Sequence, residues 1–412
     1  MKGCDNTVNT VTVVDARMGR GKTSAAMRYM KEHSADKRFL FVTPYLSEVE
    51  RIRGYCDFEI AADDLSSKSA NLKLKMRSKR NLAITHALFY LMDNETLTLA
   101  KENGYSLIVD ESIDVIEKIP TSAKDYDLII QKMVLEEENG RLHWIDPDYE
   151  GRFNDYKELA DNGNLFRLDS ALLKITNPDI FDVFEEVIML TYLFDGQTQK
   201  AYLDYFRIPY RVVGVELDES GYRFSDGPDS PPPIDLRGLI HIVDRKKMNE
   251  LFSGTYALSK NWYSRRSASD PSIEALRRNL NNLFTSIAKA DATHRIWTCF
   301  KDDKSKVTGT KGKFASSFLP MNIRATNEYR QATTVAYLVN RFCDPNLIKF
   351  FAVRGIEIDN DKYALSEMIQ FIWRSSIRDG NPITLYVPSE RMRNLLISWI
   401  DSICTEGENS IE

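Results

Sequence analysis

The chain is 412 residues long, with 55 Lys and Arg against 60 Asp and Glu and a pI near 5.8, which excludes a generally basic nucleic-acid coat and leaves room only for local basic grooves. That length is more than one ordinary core covers, so two domains are expected, and 43% hydrophobic with 28% charged residues suits ordinary globular packing. Five scattered Cys without a C-x-x-C pair indicate neither a disulfide framework nor a zinc site, MKGCDNTVNT lacks an apolar leader core, and no stretch is long and apolar enough to span a bilayer, so a reducing, cytoplasmic setting without a membrane partner is expected.

In chain order, the first informative stretch is Val11–Arg28, VTVVDARMGRGKTSAAMR. The β-branched Val11, Val13 and Val14 predict a strand, and Thr23–Lys31, rich in Ala, Met and Arg, predicts a helix. Between them Ala16-Arg-Met-Gly19-Arg-Gly21-Lys22-Thr23 is a G-x-x-x-x-G-K-[ST] pattern with Ala in place of the first Gly. Gly19 and Gly21 let successive N–H groups turn toward phosphate oxygens, and the positive end of the helix adds to that field. Lys22 can reach the β- and γ-phosphates, and the Thr23 hydroxyl suits Mg²⁺. Met18, Gly19, Arg20, Gly21, Lys22, Thr23 and Ser24 are therefore the candidate nucleotide-binding residues.

Arg38–Pro44, RFLFVTP, predicts a buried strand ending at Thr43 and Pro44, and Ser47 with Glu50 reads as a capping box opening a helix. Leu65–Met92 carries Lys68, Lys73, Lys75, Arg77, Lys79 and Arg80 with no acidic residue, which fits a solvated basic face or a local basic groove. Asn81–Thr85 predicts a strand that delivers Thr85 and His86 to a loop. His86 has no second His or Cys at ligand spacing, so it is not expected to bind metal. Tyr105–Glu111, YSLIVDE, is the second strong signal: an apolar strand ending in adjacent carboxylates. Asp110 at the tip can hold a Mg²⁺ shell, and Glu111 can orient and deprotonate an attacking water. Ser112–Glu186 is expected to be an acidic, mostly helical or irregular insertion. Glu186–Gly196 predicts a further strand ending at Thr191. Pro, Gly, Asp and Ser crowd into Phe224–Gly238, a linker or long loop, so domains are expected at 1–220 and 221–412.

In the second half Leu239–Val243 is strand-like. Ser259–Arg266, SKNWYSRR, interleaves Trp262 and Tyr263 with Lys260, Arg265 and Arg266. That composition serves base stacking and phosphate gripping, or equally surface aromatics resting on Arg stems. Asp270-Pro271 caps an amphipathic helix with Ile273, Leu276, Leu280, Leu283, Phe284 and Ile287 at core spacing. Arg295–Phe300 predicts a strand, Lys301–Lys313 a Lys/Gly loop suited to phosphate, Ser317–Asn322 a strand and Thr333–Asn340 an apolar helix. Tyr363–Arg378 is expected as one helix with Gln370, Arg374 and Arg378 on one face. Pro382–Pro388 and Ser389–Ile400 predict a last strand and helix. An Arg from a second domain can stabilise charge on a transferring phosphoryl group. Strands alternating with helices in both halves argue for two α/β domains with mainly parallel sheets.

In this order the motifs resemble those of superfamily 2 (DEAD/DEAH-like) helicase-type ATPases. MGRGKT resembles motif I, VTP motif Ia, and THALF the next nucleic-acid-contacting motif. VDES at Val109–Ser112 resembles motif II, with Ser112 where Ala is usual. LTYLFDG stands in the place of motif III, with Tyr192-Leu193 where Ala-Thr is usual. IWTCF resembles motif IV, NIRATNEYR occupies the place of motif V, and QFIWRSSIR resembles motif VI, with Trp373 for Gly and its second Arg one residue late. The compact layout is most similar to helicase-like replication proteins of bacteriophages and viruses, and only Ser112–Glu186 lies outside the resemblance.

The resemblance implies two tandem RecA-like P-loop domains with parallel sheets, the first carrying an insertion at about 112–186. It implies an ATP-dependent helicase or translocase, with ATP and Mg²⁺ as cofactors, acting in phage or viral replication or recombination. The implied partners are single-stranded DNA (or RNA) and a replication or recombination protein. Lys22, Glu111, Gln370, Arg374 and Arg378 take catalytic roles, and Thr23 and Asp110 the metal. Thr43, Pro44, Thr85, His86, Arg324, Thr326, Asn327 and Arg330 take the nucleic acid. Two other readings stand beside it. A terminase-like packaging motor needs a nuclease half, for which Asp302-Asp303 and Asp359–Asp361 are the acidic candidates. An ATP-switched DNA-binding or loader module grips without unwinding and uses the acidic insertion for docking.

Overall fold

A computed structural model describes residues 10–56, 58–60, 68–111, 113, 115–229, 234–321 and 329–409. The chain falls into two units, Met1–Ala16 with Gly21–Asp229 and Asp344–Ile358, and Arg17–Arg20 with Ser230–Cys343 and Asp359–Glu412. The elements start with β1 (Val11–Asp15), α1 (Lys22–Glu32), β2 (Arg38–Thr43), α2 (Leu46–Cys56), β3 (Glu59–Ile60), α3 (Lys68–Arg77), β4 (Leu82–Thr85), α4 (His86–Phe89), α5 (Asn94–Glu102) and β5 (Tyr105–Asp110). Then come β6 (Ile116–Ile119), α6 (Ala123–Lys132), β7 (Val134–Glu136), β8 (Leu142–Trp144), α7 (Asn154–Asp161), β9 (Leu165–Leu168) and β10 (Ala171–Ile175). β11 (Glu186–Thr191), α8 (Thr198–Phe206), β12 (Tyr210–Val213), β13 (Val215–Asp218) and β14 (Gly221–Phe224) follow. The remainder is α9 (Leu236–Leu239), β15 (Ile240–Ile242), α10 (Lys246–Asn249), α11 (Lys260–Ser264), α12 (Pro271–Asn282), β16 (Arg295–Thr298), α13 (Lys304–Thr308), β17 (Thr334–Tyr337), α14 (Pro345–Ala352), α15 (Asn360–Ile372), β18 (Ile383–Tyr386) and α16 (Glu390–Asn409).

The first unit is built on a seven-stranded sheet of order β12-β1-β11-β5-β2-β4-β3, with every pairing parallel. A parallel sheet covered on both faces needs unbroken apolar strands, and Phe39, Leu40, Phe41 and Val42 of β2 are all fully buried. Alternation sends Leu40, Val42, Leu107 and Val109 to one core with Leu72 of α3 and Ala100 of α5. Phe39, Phe41 and Ile108 go to the other core, with Ala25 and Met30 of α1 and Ile52 of α2. α14 joins the first of these cores, where Phe350 stacks on Tyr205 at 4.4 Å between ring centroids. From β1 the chain crosses to β2, three places away, and later returns as β11 and β12 on either side of β1. β1 is thus the switch point of the winding, and α/β sheets bind ligands at the carboxyl ends of strands there.

The insertion differs from the expected mostly helical segment. Among its described residues it holds a three-stranded antiparallel sheet, β6-β10-β9, a separate hairpin of β7 and β8, two α-helices and a 3-10 helix at Pro178–Val183. Leu165, Phe166, Leu172 and Leu173 are buried on the β9–β10 hairpin, whose turn places Asp169 at φ 48°. Strands this short, with charges between the apolar residues, leave little periodic signal.

The second unit carries a four-stranded sheet of order β15-β18-β17-β16, again wholly parallel. Asp270 caps α12 by accepting from the Ser272 amide, and Ile273, Leu276 and Leu280 are buried. The expected Lys301–Lys313 loop instead holds a 3-10 turn at Lys301–Asp303 and helix α13, and four further expectations are corrected. Thr333–Asn340 holds strand β17 rather than a helix, because β-branched Thr334 and Val335 suit extended backbone and all four strand residues are buried. Ser317–Asn322 is no strand: Ala315–Ser317 forms a single 3-10 turn and Phe318 makes one isolated bridge to Trp297, while Asn322 lies outside the described residues. α15 stops at Ile372, where the Ser375 hydroxyl donates to the Ile372 carbonyl at 2.6 Å and satisfies a terminal acceptor. Ser47 lies inside α2, which starts at Leu46, so it forms no capping box.

Candidate functional site

The site is assembled at the carboxyl ends of β1, β11 and β5. Register pairs Asp15 with Thr191 and Leu190 with Asp110, so the three strand tips lie side by side. The Ala16 amide donates to the Thr191 carbonyl at 3.2 Å and the Glu111 amide to the Leu190 carbonyl at 3.0 Å, which carries the ladder into both loops. Gly19 and Gly21 have φ of 81° and 76°, the left-handed backbone open to glycine at little cost. Gly21 has a second constraint: a Cβ there would stand 2.3 Å from a ring carbon of Tyr222. α1 begins at Lys22 with no side-chain cap, leaving its first amides to whatever occupies the loop.

Lys22 Nζ donates to the Ala16 carbonyl at 2.5 Å, and the Thr23 hydroxyl faces Asp110 Oδ1 at 3.4 Å. Burial pushes the Asp110 carboxyl up to about 7, with neighbouring Glu111 adding to the push and Lys22 opposing it. Burial lowers Lys22 to about 8 against the pull of Asp110, Asp15 and Glu111. Glu111 itself sits at φ 65°, an unusual conformation for a non-glycine residue, of the kind that collects at functional sites. A hydroxyl and a carboxylate are hard oxygen donors, and Mg²⁺ takes few protein ligands when phosphates and water complete its shell. The donor set therefore fits Mg²⁺, and among the described residues no group of three His, Cys, Asp or Glu side chains offers a fuller cage.

Several partners here escape sequence reasoning. Asp15 Oδ2 accepts from the Phe194 amide at 3.1 Å, tying the end of β1 to the turn after β11, while Asp15 Oδ1 is buried without a hydrogen-bond partner among the described residues. In that turn Leu193 is left-handed at φ 57°. The Thr191 hydroxyl donates to Gln197 Oε1 at 2.8 Å, and Gln197 Nε2 to the Tyr192 carbonyl at 2.9 Å. The one sequence signal was the acidic residue at the tip of β1. A cavity of about 390 Å³ elsewhere in this unit is lined by Phe89, Asn94, Lys101, Asn164 and Lys174, and none of the strand-tip residues borders it.

The expected nucleic-acid residues separate. Thr43 and Thr85 end adjacent strands in register, and Pro44 follows half-buried. Thr43 is fully buried, and the Thr85 hydroxyl accepts from the Leu88 amide to cap α4. His86 is buried and its Nε2 lies 3.1 Å from the Asp110 carbonyl, so it supports the carboxylate tip. The basic helix is largely neutralised: Lys73 pairs with Asp93 and Glu95, Arg77 with Glu95, and Lys75 and Arg80 with Glu59. In the second unit Arg324, Thr326 and Asn327 lie outside the described residues, and Arg330 pairs with Asp379. Gln370 is on α15. Arg374 lies beyond it, 8% exposed, and donates to the Met321 carbonyl at 3.0 Å. Arg378 falls in a 3-10 turn, Ser376–Asp379, so the three do not share one helix face. Tyr263 is a core residue donating to the Leu338 carbonyl, and Arg266 covers Trp262 at 4.2 Å, so both aromatics of SKNWYSRR are packed while Lys260 and Arg265 are exposed. Asp303 pairs with Lys306 and Asp361 with Arg391, and among the described residues neither acidic candidate joins a group of three metal-ligating side chains.

These features define a mixed α/β protein with parallel sheets whose glycine loop and acidic strand tips meet at a switch point. Residues 234–400 match the YonV C-terminal Rossmann-like domain and residues 116–174 the YonV middle domain. The SPbeta prophage-derived protein YonV of Bacillus subtilis (strain 168) is 37% identical over 411 residues, covering 95% of this chain and 99% of its own. The chain belongs to the YonV family. Among solved structures it is similar to S. tokodaii Xpd4, with a TM-score of 0.49 and 12% identity over 95% of this chain and 94% of that one. It is also similar to the DUF1998 helicase MrfA bound to DNA and AMPPNP, with a TM-score of 0.38 and 11% identity over 96% of this chain and 48% of that one. No described helix is long and apolar enough to cross a membrane.

Proposed function

We propose that this protein is an ATP hydrolase of helicase type, built on two tandem RecA-like domains divided near residue 220 and translocating on single-stranded DNA in a phage or prophage setting. The observation that carries the reading is the Thr23 hydroxyl facing Asp110 at 3.4 Å beside a lysine-bearing glycine loop. A loop hydroxyl and a strand-tip carboxylate are the pair by which P-loop NTPases hold Mg²⁺. The loop amides and Lys22 bind the phosphates. Mg²⁺ held by Thr23 and Asp110 neutralises phosphate charge when bound. Glu111 orients the attacking water and takes its proton. Arg374 and Arg378 enter the proposal through their place in the motif order, as donors to the transferring phosphoryl group. The nucleic-acid role of Pro44, Thr85 and the 324–330 segment enters in the same way. Support for prophage origin is the relative's own description.

The test is steady-state ATP turnover by the purified chain, alone and with single-stranded DNA or RNA. Stimulation by DNA supports a translocase. One observation favours a second reading, the ATP-switched loader: the Thr191 hydroxyl is already spent on Gln197, where a coupling motif would need it. Turnover indifferent to nucleic acid selects that reading.

A further inference from the structure

The β13–β14 hairpin is fastened along α1. Arg28 Nη1 donates to both oxygens of Asp218, at 2.8 and 2.9 Å, and the Phe224 ring rests on Tyr29 at 5.6 Å between centroids. Alternation puts Tyr222 on the same face as Phe224, and its ring lies directly on Gly21. The ring is half-buried, and its hydroxyl has no hydrogen-bond partner among the described residues, so no polar bond accounts for a tyrosine there. A nucleotide with its phosphates over the amides of Lys22–Ser24 must trail its sugar and base past the flank of the helix start. Tyr222 is the aromatic side chain that the hairpin fixes on that flank.

We propose that Tyr222 is the base platform of the nucleotide site, stacking on the base of a nucleoside triphosphate whose phosphates the Gly19–Thr23 loop holds. This rests on the nucleotide reading above. Stacking accepts any base with a broad π-face, so ATP and GTP bind within about threefold of each other.

The test is calorimetric titration of the full chain with ATP, GTP and inorganic tripolyphosphate, which has the phosphates and no base. Tyr222→Leu keeps an apolar side chain on the hairpin and removes the π-face. It is expected to weaken ATP on the order of tenfold and to leave tripolyphosphate within about twofold, while Tyr222→Trp restores ATP binding. Equal effects on ATP and tripolyphosphate, or no effect on either, overturn the platform. Lys22→Ala is the control for the underlying reading: it weakens both probes, and if it changes neither, the nucleotide site itself is misassigned.

Discussion

At the end of β1 a lysine, three carboxylates and a glycine loop crowd together with polar capacity left over, whereas beyond β17 a buried asparagine is fully used. Asn340 donates to the Thr255 and Ala257 carbonyls at 2.8 and 3.0 Å and accepts from Arg391 at 2.9 Å. Asp15 Oδ1, by contrast, is buried without a hydrogen-bond partner among the described residues, and burial raises Asp15 and Asp110 and lowers Lys22. Among the described residues, the tip of β1 thus keeps an unused acceptor, whereas the asparagine beyond β17 spends its whole side chain on packing. Unsatisfied groups cost stability, and groups selected for a ligand are where that cost is tolerated.

Substitutions can break this contrast. Lys22→Ala should reduce ATP turnover by about a hundredfold or more, because the cation over the transferring phosphates is gone, with little change in the thermal midpoint. Asp15→Asn keeps an acceptor for the Phe194 amide and removes a buried carboxylate. Turnover should fall roughly tenfold while the thermal midpoint holds or rises, and a lowered midpoint would make Asp15 a structural residue. Asn340→Ala should do the reverse, costing about 2 kcal/mol by denaturant unfolding and leaving nucleotide affinity unchanged. Asp218→Ala breaks a partly exposed pair with Arg28 and should have the smallest effect of the four, leaving the thermal midpoint nearly unchanged.

The strands that carry the site were legible because their physics is local. VTVVD, RFLFVT and YSLIVD are continuous apolar runs with polar tips, and the glycine loop stands between a strand and a helix. What was lost depends on distance or on ends. Thr334–Tyr337 reads as apolar in either conformation until its four burials are known. The shared face for Gln370, Arg374 and Arg378 assumed a helix that Ser375 terminates. Thr43 and His86 carry suitable side chains for a nucleic acid, yet burial and the Asp110 carbonyl claim them. Asp15 and Tyr222 meet partners 179 and 201 residues away in the chain, which no local pattern encodes.

The most direct measurement is ATP turnover by the full chain with and without single-stranded DNA, with Lys22→Ala run in parallel. Turnover that rises with DNA and disappears in the Lys22 variant is the expected result. Turnover that survives unchanged in Lys22→Ala, or none at all in the wild-type protein despite nucleotide binding, would contradict the assignment of hydrolysis to the strand tips of β1 and β5.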